Sequence, residues 1–215
     1  MDPSTVTTDD ELYRQWWAGD RNAGSRLVDR HVRPVARFFA NKIANAADAD
    51  ELVAQTFEIV ARKLGDFASE GSFRSYVFAL ANNVLRNYLK KQRRNGREVD
   101  PEIDAIAAIG PSVVTAVASR REHQLLLHGL RAVPIDDQVL LELSYFEQLS
   151  RTEIAAALGW PVGTVASRMR RAHARLEAAL ATCAAEPALL QSTIHGIADW
   201  AAELRQRIAD DYGAR

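Results

Sequence analysis

Two sets of basic residues recur at helical spacing behind turn and loop signals. In the first, Thr164, Ser167, Arg168, Arg171 and Arg175 fall on one exposed helix face, and Val165, Met169, Ala172 and Leu176 fall on the inward one. A guanidinium so placed can pair bidentately with guanine or clamp a phosphate. The hydroxyls suit phosphate or base-edge contacts. In the second set, Arg86, Lys90 and Arg93 lie opposite an apolar stripe, with Lys91 and Arg94 following them. Asn82 lies on that same face and Asn83 beside it. Amides can read base edges, but cations at a helix C-terminus also complement the macrodipole, so both readings stay open. Upstream, Phe67 sits in a loop with Ser69, Glu70 and Ser72. An aromatic ring among free backbone groups is what an unstacked base needs. A ring can equally staple a loop to a core. That is the reading for Phe73, and Phe67 is left between the two.

A third cluster is acidic. Asp48, Asp50, Glu51 and Glu58 precede Arg62 and Lys63 on one helical stretch. This order complements the helix dipole, and it could also form a docking face for a basic partner.

The elements that must hold these residues are helices. No run of alternating β-branched residues appears, so the chain reads as all-α. A first helix begins at Thr8 to Glu11 and ends near Gly19; a second runs from about 22 to 44 with Pro34 as a possible kink. A third runs from about 48 to 64, with Leu52, Val53, Phe57, Val60 and Leu64 as its stripe, and Gly65 stops it. A fourth runs from about 72 to 92, with Phe73, Val77, Leu80, Val84 and Tyr88 inward. Then Gly96, Pro101, Gly110 and Pro111 interrupt the pattern, and the four carboxylates between Glu98 and Asp104 face no base. Residues 96–119 read as an acidic linker between two domains. Helices resume near Arg120. Ser150 and Glu153 fit a capping box, Gly159 a left-handed C-cap and Pro161 a helix start. That is a helix, a tight turn and a second helix, the arrangement that sets a helix in the major groove.

Composition sets the outer bounds. The 215 residues carry a net charge of −1 and are 47% hydrophobic, as in an ordinary globular chain. The lone Cys183 excludes an internal disulfide, and Cys-rich zinc binding is not expected. No basic leader, no apolar run of spanning length and no phosphate-binding glycine loop is found. His31, His123, His128, His173 and His195 lack metal-ligand spacing. The expectation is a cytoplasmic binding protein with no cofactor, no metal, no membrane insertion and no catalysis.

These motifs, in this order, resemble the sigma-70 family of RNA polymerase sigma factors, of the extracytoplasmic-function type. The stretch from Asp48 to Phe57 is similar to the family's polymerase-docking helix, that from Phe73 to Arg94 to its −10-element helix, and that from Leu149 to Arg168 to its −35-element helix-turn-helix. The resemblance implies two small helical domains, a sigma2-like bundle over 9–95 and a sigma4-like helix-turn-helix domain over 120–181. It implies docking of Asp48, Asp50, Glu51 and Gln55 on the clamp helices of the largest polymerase subunit. Residues Phe67, Ser69, Glu70, Ser72, Asn82 and Asn83 would serve the −10 element, and Arg86, Lys90, Lys91, Arg93 and Arg94 would track the backbone. Thr164, Ser167, Arg168, Arg171 and Arg175 would read the −35 element, with the second domain touching the flap of the second-largest subunit. The linker would run through the RNA exit path, and an anti-sigma protein is a possible partner.

Three departures stand out. Ala166 takes the place of a common lysine, Asp136 and Asp137 replace a more basic stretch, and residues 182–215 form an amphipathic extension. That extension either regulates the factor in cis or caps the second domain. The competing function is a stand-alone helix-turn-helix regulator that binds duplex DNA without polymerase.

Overall fold

A computed structural model describes residues 7–65, 67, 71–94, 121–183, 193 and 196. Among these, eight helices form two groups and no strand is present. The linker 96–119 lies outside the described residues, as does the C-terminal extension beyond Cys183 apart from Thr193 and Gly196.

The first group contains α1 (Asp9–Trp17), α2 (Arg21–Ala40), α3 (Ala46–Arg62) and α4 (Phe73–Arg94). Side-chain oxygens start the first three. Thr8 accepts from Glu11 N, Asp20 from Asn22 N and Ala23 N, and Asn45 from Ala47 N. Ser72 does the same for α4, accepting from Ser75 N at 3.2 Å. The helices begin one or two residues from the expected points. The second ends at Ala40 rather than near 44, and it continues through Pro34. Leu12, Leu27, Val35, Phe39, Leu52, Val60, Phe73, Val77, Phe78 and Leu85 make the shared core. Val53, Phe57, Leu64, Leu80 and Tyr88 only flank it, and Thr56 takes a buried place on α3 by donating its hydroxyl to Leu52 O at 2.8 Å.

The second group contains α5 (Arg121–Ala132), α6 (Ile135–Tyr145), α7 (Arg151–Leu158) and α8 (Val162–Cys183). The reciprocal Ser150–Glu153 capping box opens α7, and Gly159 closes it at φ 67°, a conformation that a Cβ would strain. Leu126, Leu130, Ile135, Leu140, Leu143, Ile154, Val165, Ala172, Leu176 and Leu180 are buried around α8. At Gly129 a Cβ would stand 2.6 Å from Leu180 Cδ2, so glycine is what lets α5 lie this close to α8.

The two groups pack on each other, with α7 against α4. This seam is polar. Glu142 receives both Lys42 Nζ and Asn41 Nδ2, and it also accepts from Gln138 Nε2 at 3.0 Å. Arg37 pairs with Glu147, whose backbone carbonyl accepts from Arg74 at 3.0 Å. Ser72 donates to Glu153. Arg86 reaches Asp136 at 2.7 Å. The Lys42 side chain has no exposed surface; its ammonium also donates to Phe38 O at 3.0 Å and lies 3.8 Å from the Phe38 ring centroid. Burial pulls the Lys42 pKa down, and Glu142 opposes that pull.

Candidate nucleic-acid interface

Helix α8 carries the first basic set as the spacing requires. Val165, Ala172 and Leu176 are buried and Met169 is half-buried against them. The opposite side is not uniformly free. Arg171 is exposed, but Arg175 pairs with Asp137 at 2.6 Å and Arg168 stands 3.9 Å from Asp136. The Arg168 guanidinium also stacks over the Trp160 ring, 4.3 Å from its centroid. Thr164 is half-buried, and the Ser167 hydroxyl donates to Thr164 O at 3.0 Å. Arg170, outside the expected set, is exposed beside Arg171. Its signal was its adjacency to the expected face.

Helix α4 carries the second set. Asn83, Lys90 and Lys91 are exposed. Asn82 is only 4% exposed, which corrects its placement on an open face with Arg86. Helical periodicity did put the two on one side, but the second helix group lies against α4. Arg86 keeps 41% of its side-chain surface while holding Asp136. The side chains of Arg93 and Arg94 lie outside the described residues, as do Ser69 and Glu70. Phe67 is half-buried in an aromatic cluster, 4.9 Å from Tyr13, 5.8 Å from Phe73 and 5.4 Å from Tyr76 by ring centroids. Phe73 is fully in the core, as expected of a loop staple.

The acidic set divides. Asp48, Glu51 and Gln55 line one cleft of about 370 Å³ between α3 and α4, with Leu52, Val84, Asn87, Tyr88, Lys91 and Gln92 completing its wall. Tyr88 donates to Asp48 at 2.7 Å and Gln55 to Glu51 at 2.9 Å, so these acceptors are already oriented. Asp50 is exposed but is not part of that wall. Lys91, expected to track a nucleic-acid backbone, stands in it instead. Among the described residues no cluster of His, Cys, Asp or Glu could hold a metal, and no helix is long and apolar enough to cross a membrane.

The protein-family model for sigma-70 region 2 matches residues 27–95, and that for sigma-70 region 4 matches residues 123–176. The RNA polymerase sigma factor NccH of Alcaligenes xylosoxydans xylosoxydans is 31% identical over 183 residues, which is 83% of this chain and 96% of that one. This chain belongs to the sigma-70 family. Among its relatives is also the ECF RNA polymerase sigma-E factor of Escherichia coli, 28% identical over 81% of this chain and 95% of the relative. Two solved structures share the sigma factor's fold. CnrH, in complex with the cytosolic domain of CnrY, superposes with TM-score 0.60 at 24% identity, covering 82% of this chain and 99% of its own. RpoE of Bartonella quintana, in complex with the anti-sigma factor NepR, gives 0.57 at 20% identity, covering 73% and 95%. The region 2 match spans α3, α4 and most of α2, and the region 4 match ends at Leu176 on α8.

Proposed function

We propose that this sigma factor binds core RNA polymerase, directs it to promoters and promotes initiation, with each helix group serving one promoter element. The cleft of Asp48, Glu51 and Gln55 suits a helical partner bearing basic and amide groups, with its acceptors fixed in advance by Tyr88 and by each other. Asp50 lies just outside and would touch the flank of the same partner. Asn83, Arg86 and Lys90 on α4 belong to the −10 reading, with Arg93 and Arg94 continuing along the strand. Ser69, Glu70 and Ser72 would form the base-receiving loop, with Phe67 as its ring. Arg168, Arg171 and Arg175 on α8, helped by Thr164 and Ser167, belong to the −35 reading. The acidic linker 96–119 joins the two, and the extension 182–215 either folds back on the core and regulates the factor in cis or caps the second domain. The factor works in the cytoplasm, stoichiometrically and without a cofactor, and an anti-sigma protein is the natural antagonist of both surfaces.

One observation carries this reading. A capped helix, a left-handed glycine turn and an arginine-faced helix sit in the same chain as the oriented acidic cleft. A stand-alone regulator would use the former and leave the latter without purpose. Run-off transcription with bacterial core polymerase on a promoter-fragment library provides the test. Initiation that depends on added protein supports the reading. Silence with intact protein and core, together with duplex binding by the protein alone, would replace it with the stand-alone regulator.

A further inference from the structure

Two adjacent tryptophans end α1, and the fold encloses only one of them. Trp16 packs on α2: a Cβ at Gly24 would stand 2.7 Å from its ring, so glycine is what lets the indole lie on that helix. Trp17 keeps 65% of its surface, more than any other large hydrophobic side chain among the described residues. An indole offers an apolar face and an N–H edge, which is why tryptophan is enriched at contact surfaces.

The surroundings of Trp17 say what would cover it. Tyr13 precedes it by four residues, so the two rings share one face of α1. The Tyr13 hydroxyl accepts from Gly65 N at 2.7 Å, and its ring meets the Phe67 ring edge-on at 4.9 Å. Trp17 Nε1 lies against Gly65 itself, 3.4 Å from where a Cβ would stand. Helix α1 is thus fixed to the start of the loop that the proposed function gives to an unstacked base. Tyr13 is buried in that contact, and Trp17, one helical turn or about 6 Å further along α1, stays open. Arg14 on α1 and Arg62 and Lys63 at the end of α3 are exposed on the two elements that meet here. Of the nearby acids, Asp20 is occupied in capping α2, and Glu58 stands 3.9 Å from Arg62. An open ring flanked by cations is the arrangement that tracks single-stranded nucleic acid, where basic groups hold the backbone and the ring takes the face of a base.

We propose that Trp17 is a second stacking platform for the melted promoter strand, taking the face of a base that neighbours the one received at the Phe67 loop. This rests on the reading of that loop as base-receiving. Every base has a π-face, so Trp17 adds affinity with little sequence preference and holds the strand open rather than choosing it.

The experiment uses holoenzyme assembled from bacterial core polymerase and the full chain. The probe is a labelled fork, part duplex and part single strand, with the sequence of a promoter on which the wild-type protein initiates. Trp17→Leu keeps an apolar cover over Gly65 but removes the π-face, and Trp17→Phe keeps a ring. Fluorescence anisotropy should show fork binding weakened about tenfold by Trp17→Leu and held within about threefold of wild type by Trp17→Phe. Replacing the single-strand bases one at a time by abasic sites should locate the partner. At one position the missing base should weaken wild type about tenfold and the Trp17→Leu protein no further, because both changes remove the same contact. Binding of fully duplex promoter fragments and affinity for core should be unaltered. Fork binding unchanged by Trp17→Leu overturns the proposal, as does a scan in which every abasic site weakens both proteins equally. A loss of core affinity overturns it too and makes Trp17 a contact for protein. If Trp17→Leu loses helicity, Trp17→Met decides in its place by the same readings. A wild-type protein that initiates on no fragment removes the underlying reading and this proposal together; failure of the proposal alone shows only in the variants.

Discussion

The interiors of the two helix groups and the seam between them are built from opposite materials. Inside each group, Phe39, Phe78, Leu140 and Val165 meet with no exposed surface, and stability comes from apolar area removed from water. Across the seam, ions and amides meet beside Phe38, Leu127 and Phe146, and the ionic gain is largely offset by dehydration. The first kind of contact is given up only on unfolding. The polar part of the second can be exchanged for water at a smaller net cost.

The largest expected effect breaks the first side of the comparison. Phe78→Ala should cost about 3–5 kcal/mol of stability, because it leaves a void in a packed core. Thermal unfolding of the full chain would show it, and a loss below about 1 kcal/mol would mean this interior is looser than its burial implies. Next comes a change that turns the seam into an interior. Lys42→Met and Glu142→Leu, with Asn41→Leu and Gln138→Leu so that no buried amide loses its acceptor, replace a buried polar cluster by apolar groups of similar size and should stabilise the packing of the two groups by about 1–4 kcal/mol. Thermal unfolding of the full chain should shift to higher temperature. An unchanged or lower unfolding temperature would show that the ions hold the seam at least as well as apolar packing would.

A polar contact inside a group gives the third test. Asp9 accepts from Arg30 at 2.8 Å and sits 2.7 Å from His31 Nε2. The His31 contact, with help from Arg30 and against partial burial, holds the Asp9 pKa at about 2, below its ordinary 3.8. A lowered carboxyl pKa stabilises the fold above the unfolded value and loses that effect as pH falls through the folded one. Asp9→Asn should therefore cost about 1–2 kcal/mol near neutrality, allowing for partial exposure, with the gap to wild type closing between pH 3.8 and about 2. Denaturant titrations over that range would check it; a gap that stays constant with pH would deny the pair its role. The smallest effect is local. Ser150→Ala removes the α7 cap and should cost about 1 kcal/mol, felt by the second group alone. Amide exchange would locate it, and equal loss of protection in α1 to α4 would mean the groups unfold as one unit.

The helical class, the capping box, the Gly159 stop and the inward face of α8 were legible because each depends on neighbours within one or two turns. Periodicity also assigned Asn82 and Arg86 to one side of α4. It could not say what covers that side. Lys42 and Glu142 lie 100 residues apart in sequence, so nothing local to either marks it as buried. Asp136 and Asp137 stood out only as acids in an expected basic stretch, and their first-turn position on α6 already gave them a dipole rationale. Their pairing with Arg86 and Arg175 depends on how helices meet, which spacing along one helix does not encode. The acidic cleft was half legible. Asp48, Glu51 and Gln55 share a helix face, whereas the family resemblance that brought in Gln55 also brought in Asp50, which lies outside the cleft wall.

The Trp160 ring beneath Arg168 has a consequence for timing. A free arginine samples many rotamers, and confining it against DNA forfeits up to about 2 kcal/mol of side-chain entropy. Stacked on an indole in the turn of the helix-turn-helix, Arg168 has surrendered part of that freedom before any DNA arrives. Under the proposed −35 reading, an arginine already held in this way would make a larger share of collisions productive than one that must be ordered at every site.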